Sequence, residues 1–387
     1  MPGPPRGRPR VSSRLDGRLT PLELRADIPA LESTAYFNTG ASGPSPRYVV
    51  EAAESYTERH EYDAHASGDP YPLAFDTYDE VRETVASFLG AHPDEIALTE
   101  STTDGINRFA GALDWTPGDV VVRTDLEHPA GILPWERLER DGVEVRVVES
   151  DGGRLDRAAF EAAVEDAKLV CLSAVSWTRG TTLPVAELTD IAHENGALVL
   201  VDAVQAPGQM PVDVREWGAD AVAAAGHKWL LGLWGAGFLY VRSDLAERLE
   251  PTAIGYRSVA DSGATPFEYE AGARRFEIGT TNPAAHVALQ EAIGVFEDIG
   301  LSTVSSRIER LTDHLKTNIP EDRLLGPRSY ESGLVPIAVD DAEATVERLA
   351  DRSIVVRALP GEEAIRVSVH AFNTADEIDR LVETLDF

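Results

Sequence analysis

Short, wholly apolar runs alternate along this chain with stretches in which apolar side chains recur every three to four residues. Asp119–Arg123 (DVVVR), Val143–Val148, Leu169–Val175 (LVCLSAV), Ala197–Val201, Ala221–Ala224 and Gly237–Val241 read as buried strands. Ile132–Arg140, Ala158–Asp166 and Val185–Asn195 carry helical spacing between them. Gly118-Asp119, Asp141-Gly142, Asp151-Gly152 and Asn195-Gly196 mark turns. Short buried strands alternating with helices predict an α/β fold, with a mostly parallel sheet covered on both faces.

The rhythm changes after about residue 256. A long helical stretch, Pro283–Asn318, precedes short strands near Leu334–Val339, Ile354–Leu359 and Ala364–Ser368. Thr374-Ala-Asp-Glu377 reads as a capping box that opens a last helix. The pattern therefore divides into a large α/β domain over 20–255, whose first residues pack on the other unit, and a smaller α+β domain over 256–387. Residues 1–19 hold five arginines and four prolines and read as a disordered basic extension.

Charge narrows the range of partners. The 387 residues carry 66 acids against 35 bases, a net −31, which disfavours nucleic acid and anionic membranes. Only three of the bases are lysine: Lys168, Lys228 and Lys316. Acid excess with scarce lysine is the pattern of a halophilic protein, in which ions screen self-repulsion. The single cysteine, Cys171, allows neither an internal disulfide nor a CxxC zinc site, and no metal site is expected. The first twenty residues lack an apolar signal segment, and no run reaches the roughly 20 apolar residues of a membrane helix, so the cytoplasm is the expected compartment.

The chemistry centres on Ala225-Gly226-His227-Lys228-Trp229, after an apolar strand, with Asp202 ending the strand before it. This pair suits pyridoxal 5'-phosphate. A lysine amine can form an imine with the cofactor aldehyde, and a carboxylate can keep the pyridine nitrogen protonated. A chain that otherwise prefers arginine keeps lysine here, and arginine forms no useful imine.

The run ALVLVDAVQA…GHKWLLG resembles the class V aminotransferase superfamily, which includes cysteine desulfurases and isopenicillin N epimerases. The resemblance extends from about Leu22 to Leu385 and implies a fold-type I enzyme dependent on pyridoxal phosphate. It makes Lys228 the Schiff-base lysine, Asp202 the partner of the ring nitrogen, and Gln205 the partner of the phenolic oxygen. It makes His227, Thr102 and Thr103 phosphate ligands, and His128 the aromatic stacked on the ring and a proton relay. Gly279 and Thr280 match a segment that reaches the partner subunit's phosphate, which implies a homodimer with shared sites. Arg366 matches the arginine that grips the substrate carboxylate, and Gly40 and Ala41 match a loop on the substrate side.

Three features depart from the desulfurase pattern. The segment Arg357–Arg366 is short and lacks the nucleophilic cysteine, Trp177 stands where asparagine is usual, and Ala225 replaces a serine. Trp177 and the EHPAG segment are closer to the epimerase-like branch, and Trp177 is placed with the substrate-binding residues. The function this implies is chemistry at Cα of a small amino acid: transamination, epimerisation or elimination. The alternatives are a C–S lyase without the loop cysteine, of the cysteine desulfurase or selenocysteine lyase type, and a non-catalytic binding protein. A dinucleotide-dependent dehydrogenase is disfavoured, because no G-x-G-x-x-G turn follows an early strand.

Overall fold

The computed structural model describes residues 19–387, so the basic extension expected over 1–19 lies, but for Leu19, outside the described residues. Seven strands form the central sheet: β1 (Ile96–Thr99), β2 (Val120–Thr124), β3 (Glu144–Val148), β4 (Leu169–Ser173), β5 (Leu198–Asp202), β6 (Ala221–Ala225) and β7 (Gly237–Val241). Their order is β1-β7-β6-β5-β4-β2-β3. Only β7 runs antiparallel to its neighbours. The sheet is thus the mostly parallel one expected.

Alternate residues of each strand enter different cores. Val170, Leu172, Val199, Val201, Val222 and Ala224 join one cluster, and Leu169, Cys171, Leu200, Ala221 and Ala223 the other. Both faces are buried, which is why the strands read as continuous apolar runs. On the first face, helix Pro283–Ile299 packs on helices Arg47–Glu58 and Tyr71–Leu89.

A second sheet, with its own core, joins β8 (Leu334–Ala338), β9 (Arg357–Ala358) and β10 (Ala364–Ser368) in the order β8-β10-β9, all antiparallel. The stretch expected as one helix over 283–318 is two, Pro283–Ile299 and Leu301–Thr317, parted at Gly300, whose φ of 88° no helix accommodates. The run expected as one strand over 354–359 is also divided. Ile354–Val355 pairs with Ala35–Tyr36, and Arg357–Ala358 pairs with β10. Helix Leu301–Thr317 spans both cores, with Val304 and Ile308 in the large one and Leu311 and Leu315 in the small one. Helix Pro283–Ile299 lies on the large layer, whereas Leu301–Thr317 lies against the final helix, Ala375–Leu385.

The N-terminal segment ties the two sheets together. After Tyr36 it bridges to β10 through Asn38 and Ser368, then returns to the large sheet, where the Gly43 N–H donates to the His227 carbonyl at 2.8 Å. This route carries Gly40 and Ala41 between the two units.

Candidate active site

Parallel strands end together, so their loops converge on one edge of the sheet. The loops after β1, β2, β4, β5 and β6 enclose a cavity of about 200 Å³. Gly40, Ala41, Thr102, Thr103, His128, Trp177, Asp202, Gln205, His227, Lys228 and Arg366 all line it. Gly279 and Thr280 are not brought there. Thr280 is exposed, and its N–H donates to the Tyr256 hydroxyl at 3.0 Å. Ser101 and Arg357 line the cavity without having been anticipated.

One end of the cavity is built for an anion. Thr102 opens the helix Thr102–Ala110, with Ser101 as its N-cap accepting from the Asp104 N–H at 3.1 Å. The first-turn N–H groups and the positive end of the helix dipole meet here. The buried Thr102 Oγ1 has no hydrogen-bond partner among the described residues.

On the floor, Asp202 accepts the Val204 N–H at 3.0 Å. Burial raises its pKa, against the pull of that bond and of Lys228. Burial in turn lowers the Lys228 ammonium to about 8; Asp202 opposes the shift, while Arg366 and Arg357 add to it. Burial and then the neighbouring Lys228 bring His227 down to about 4. Gln205 is held at both ends, donating to the Gly40 carbonyl at 3.0 Å and accepting from Trp229 Nε1 at 2.8 Å.

His128 stands where the chain leaves β2. Its Nδ1 accepts from the Ala130 N–H at 3.3 Å, which leaves the proton of the neutral ring on Nε2. Burial, with Lys228, Arg357 and Arg366 nearby, lowers its pKa to about 4, so the ring is neutral near pH 7. Trp177 meets it edge to face at 5.4 Å between ring centroids.

At the other end Arg366 is 1% exposed. One of its nitrogens donates to the Trp177 carbonyl at 3.0 Å, while Nε and the second terminal nitrogen have no partner among the described residues. Arg357 faces Arg366 across the β9–β10 ladder, and its guanidinium lies 5.6 Å from the Trp177 ring. Gly40 packs close against this end, and a Cβ there would stand 2.7 Å from Leu334 Cδ2 and 3.0 Å from an Arg366 nitrogen, so a larger residue would have to displace those side chains.

Two needs therefore face one cavity: a hydroxyl at a helix start that lacks a partner, and a buried guanidinium with a free fork. A phosphate at the first and a carboxylate at the second would satisfy them. With a lysine and a strand-end acid between, the residues present fit pyridoxal phosphate and an amino-acid substrate.

Fold and site together define a fold-type I enzyme dependent on pyridoxal phosphate. The Aminotransferase class-V profile matches residues 35–381, and the chain belongs to that family. It is 36% identical to a probable cysteine desulfurase of Methanothermobacter thermautotrophicus, over 94% of this chain and 97% of that protein. Among solved structures it is similar to the apo cysteine desulfurase of Thermococcus onnurineus NA1 (30% identity, TM-score 0.87, 96% of this chain and 98% of that one). It is also similar to the cystine C–S lyase C-DES in complex with its product, cysteine persulfide (26% identity, TM-score 0.86, 93% and 99%). Among the described residues no helix is long and apolar enough to cross a membrane.

Proposed function

We propose that this enzyme is a C–S lyase that eliminates sulfur from Cβ of a small amino acid of the cystine type, without passing the sulfur to a cysteine of its own. The observation that carries the reading is a cavity with two guanidinium groups, Arg366 and Arg357, and no thiol. Cys171 lies wholly buried within β4, and burial, Glu127 and Asp202 push its thiol well up, away from the reactive thiolate. Two cations suit a substrate with two carboxylates.

Bound in the cavity, pyridoxal phosphate would supply an aldehyde that condenses with amino groups and a ring that draws charge from Cα. Thr102, Thr103, His227 and the N–H groups of the helix start would hold its phosphate. Asp202 would keep a proton on its ring nitrogen, Gln205 would face its phenolic oxygen, and His128 would cover one face. Arg366 would fix the substrate's α-carboxylate, Arg357 would meet the second, and Gly40, Ala41 and Trp177 would close the substrate side. Lys228 would be the residue that holds the cofactor aldehyde, and its free amine, lowered to about 8, would take the proton from Cα. The Cβ–S bond breaks as the Cα–Cβ double bond forms. One cystine and one water give pyruvate, ammonia and cysteine persulfide.

The test is product analysis with purified holoenzyme and cystine. Equal amounts of pyruvate and persulfide support the reading. Alanine as product, or a keto acid made with conversion of the cofactor to its amine form, overturns it. The epimerase-like alternative rests on Trp177 and the Glu127–Gly131 segment, and predicts exchange at Cα in heavy water with no pyruvate.

The working unit in this reading is a homodimer with shared sites. Gly279 and Thr280 stand away from their own cavity, and Trp234, 72% exposed, lies 5.1 Å from the His227 ring. A second copy would cover that ring and bring its own Gly279 and Thr280 to the cavity. A cofactor-loaded monomer in light scattering would refute this. The net charge of −31 further suggests a protein adapted to high salt, which predicts a melting temperature that rises with potassium chloride.

A further inference from the structure

We propose that Glu127 is a positioning residue of the site: its carboxyl group ties the turn carrying His128 to the ends of β2 and β4, and so sets the tilt of the His128 ring over the cavity. The inference rests on the reading of His128 as the ring that covers the cofactor.

Glu127 is 3% exposed. Three donors converge on its carboxylate. Thr124 Oγ1 at 2.7 Å and the Ser173 N–H at 3.0 Å reach one oxygen, and Ser173 Oγ at 2.6 Å reaches the other. The β2–β4 ladder ends at the pair Arg123–Cys171, and Ser173 lies two residues beyond it. The side chain of Glu127 thus supplies the acceptor that a departing β2 no longer offers. Its own backbone carbonyl accepts from Trp177 Nε1 at 3.3 Å. The turn after it is seated on the same group, since a Cβ on Gly131 would lie 3.2 Å from Oε2. Through one residue, the two rings that meet edge to face at the cavity are referenced to the sheet.

Glu127 also titrates in a useful range. Burial, with Asp202 adding to it, raises its pKa to about 7, although the bonds from Ser173 and Thr124 favour the anion. Asp202 on β5 and Cys171 on β4 interact with it electrostatically, and His128 follows it in the chain. The charge beneath the cavity floor therefore changes near neutrality.

The test compares Glu127→Gln and Glu127→Ala holoenzymes with wild type, by histidine NMR, cofactor dissociation constant, and kcat and KM on cystine against pH. In Glu127→Ala the His128 resonance shifts and kcat falls by about 100-fold with little change in KM, the size expected for a reacting group displaced by about 1 Å. Glu127→Gln keeps the resonance and the kcat of wild type at pH 6, and loses the pH step near 7. An unmoved His128 resonance and kcat in Glu127→Ala overturns the proposal, as does a Glu127→Gln enzyme that loses as much as Glu127→Ala. If Glu127→Ala does not fold, Ser173→Ala, which removes one donor, carries the same test with a smaller shift. A wild type that makes no pyruvate from cystine defeats the proposed reaction alone, because the resonance and the cofactor affinity still report on Glu127.

Discussion

Two buried clusters of charge rest on the same large sheet, and they are built to opposite ends. At the first, Glu277 accepts from Arg82 Nε at 3.0 Å, Arg257 at 2.5 Å and the Leu98 N–H of β1 at 3.0 Å. Arg257 also lies over the rings of Phe75 and Tyr78. Despite burial, the paired arginines hold the Glu277 carboxyl down at about 2. Every charge there has a partner, and the cluster joins β1, helix Tyr71–Leu89 and the chain around 257 and 277. At the second, the cavity, Arg366 keeps two nitrogens unpartnered and Lys228 is lowered to about 8, while Glu127, satisfied by its own donors beneath the floor, is raised to about 7. Burial acts in both places. What differs is whether the protein itself completes the set of partners. A cluster that closes on itself holds the fold, whereas one left open by its own residues waits for a ligand.

The sharpest break in that comparison is Lys228→Ala. The open cluster loses its anchor and its base together, so activity should fall by at least about 1,000-fold, measured as pyruvate from cystine. The melting temperature of the cofactor-free protein should hold or rise, because a buried amine is removed from beside other cations. A variant that keeps full activity would refute the proposed role.

Two arginines then allow one substitution to be read twice. Arg82 and Arg366 are 2% and 1% exposed. Arg82→Gln breaks a closed set and leaves Glu277 with one cation, which should cost about 3–5 kcal/mol in denaturant unfolding. Arg366→Gln removes a charge that has no protein counter-charge in its fork. Stability should change little, while kcat/KM on cystine falls by about 100-fold, mostly through KM. Equal stability losses in the two variants would mean that Arg366 is a structural residue.

The two acids separate by the sign of their pH dependence. The depressed pKa of Glu277 contributes stability that is present above about 4.5 and lost as pH falls toward 2. Glu127 has a raised pKa, so stability drains away as pH rises from about 4.5 through 7. In difference curves of stability against pH, Glu277→Gln should remove an acid-side loss, and Glu127→Gln a loss on approaching neutrality. Curves with the same sign would end the contrast.

The open cluster could largely be read from the chain, because its parts fall at ends of recognisable elements. Asp202 closes an apolar strand, Thr102 opens a helix, and Lys228 is a lysine in a chain that avoids lysine. Arg357 could not be found this way. It joins the cavity only because β9 pairs with β10 and sets it opposite Arg366, a long-range register that no local pattern reports. Glu127 was hidden by its neighbour: it entered only as the first residue of the EHPAG segment around His128, and its work is done through strands β2 and β4. The closed cluster was equally invisible, since Arg82 and the Leu98 N–H reach Glu277 across 195 and 179 residues of sequence, and only Arg257 lies within 20. The helix break at Gly300 was locally readable in Asp298-Ile-Gly300, but the helical spacing on either side masked it.

Cys171→Ala should give the smallest change, and its value lies in that. The thiol packs in the apolar layer beneath the turn, with Sγ 3.6 Å from where a Gly131 Cβ would stand. Removing one buried heavy atom should cost about 1 kcal/mol of stability. It leaves every group of the open cluster in place. A lyase that releases persulfide to solvent needs no thiol of its own, so pyruvate and persulfide should form at wild-type rates. If instead the variant loses persulfide formation while still binding the cofactor, the buried cysteine must reach the substrate by opening the β4 layer. Cys171 would then belong to the cavity, and the boundary between the packed core and the site would have to be redrawn around Gly131.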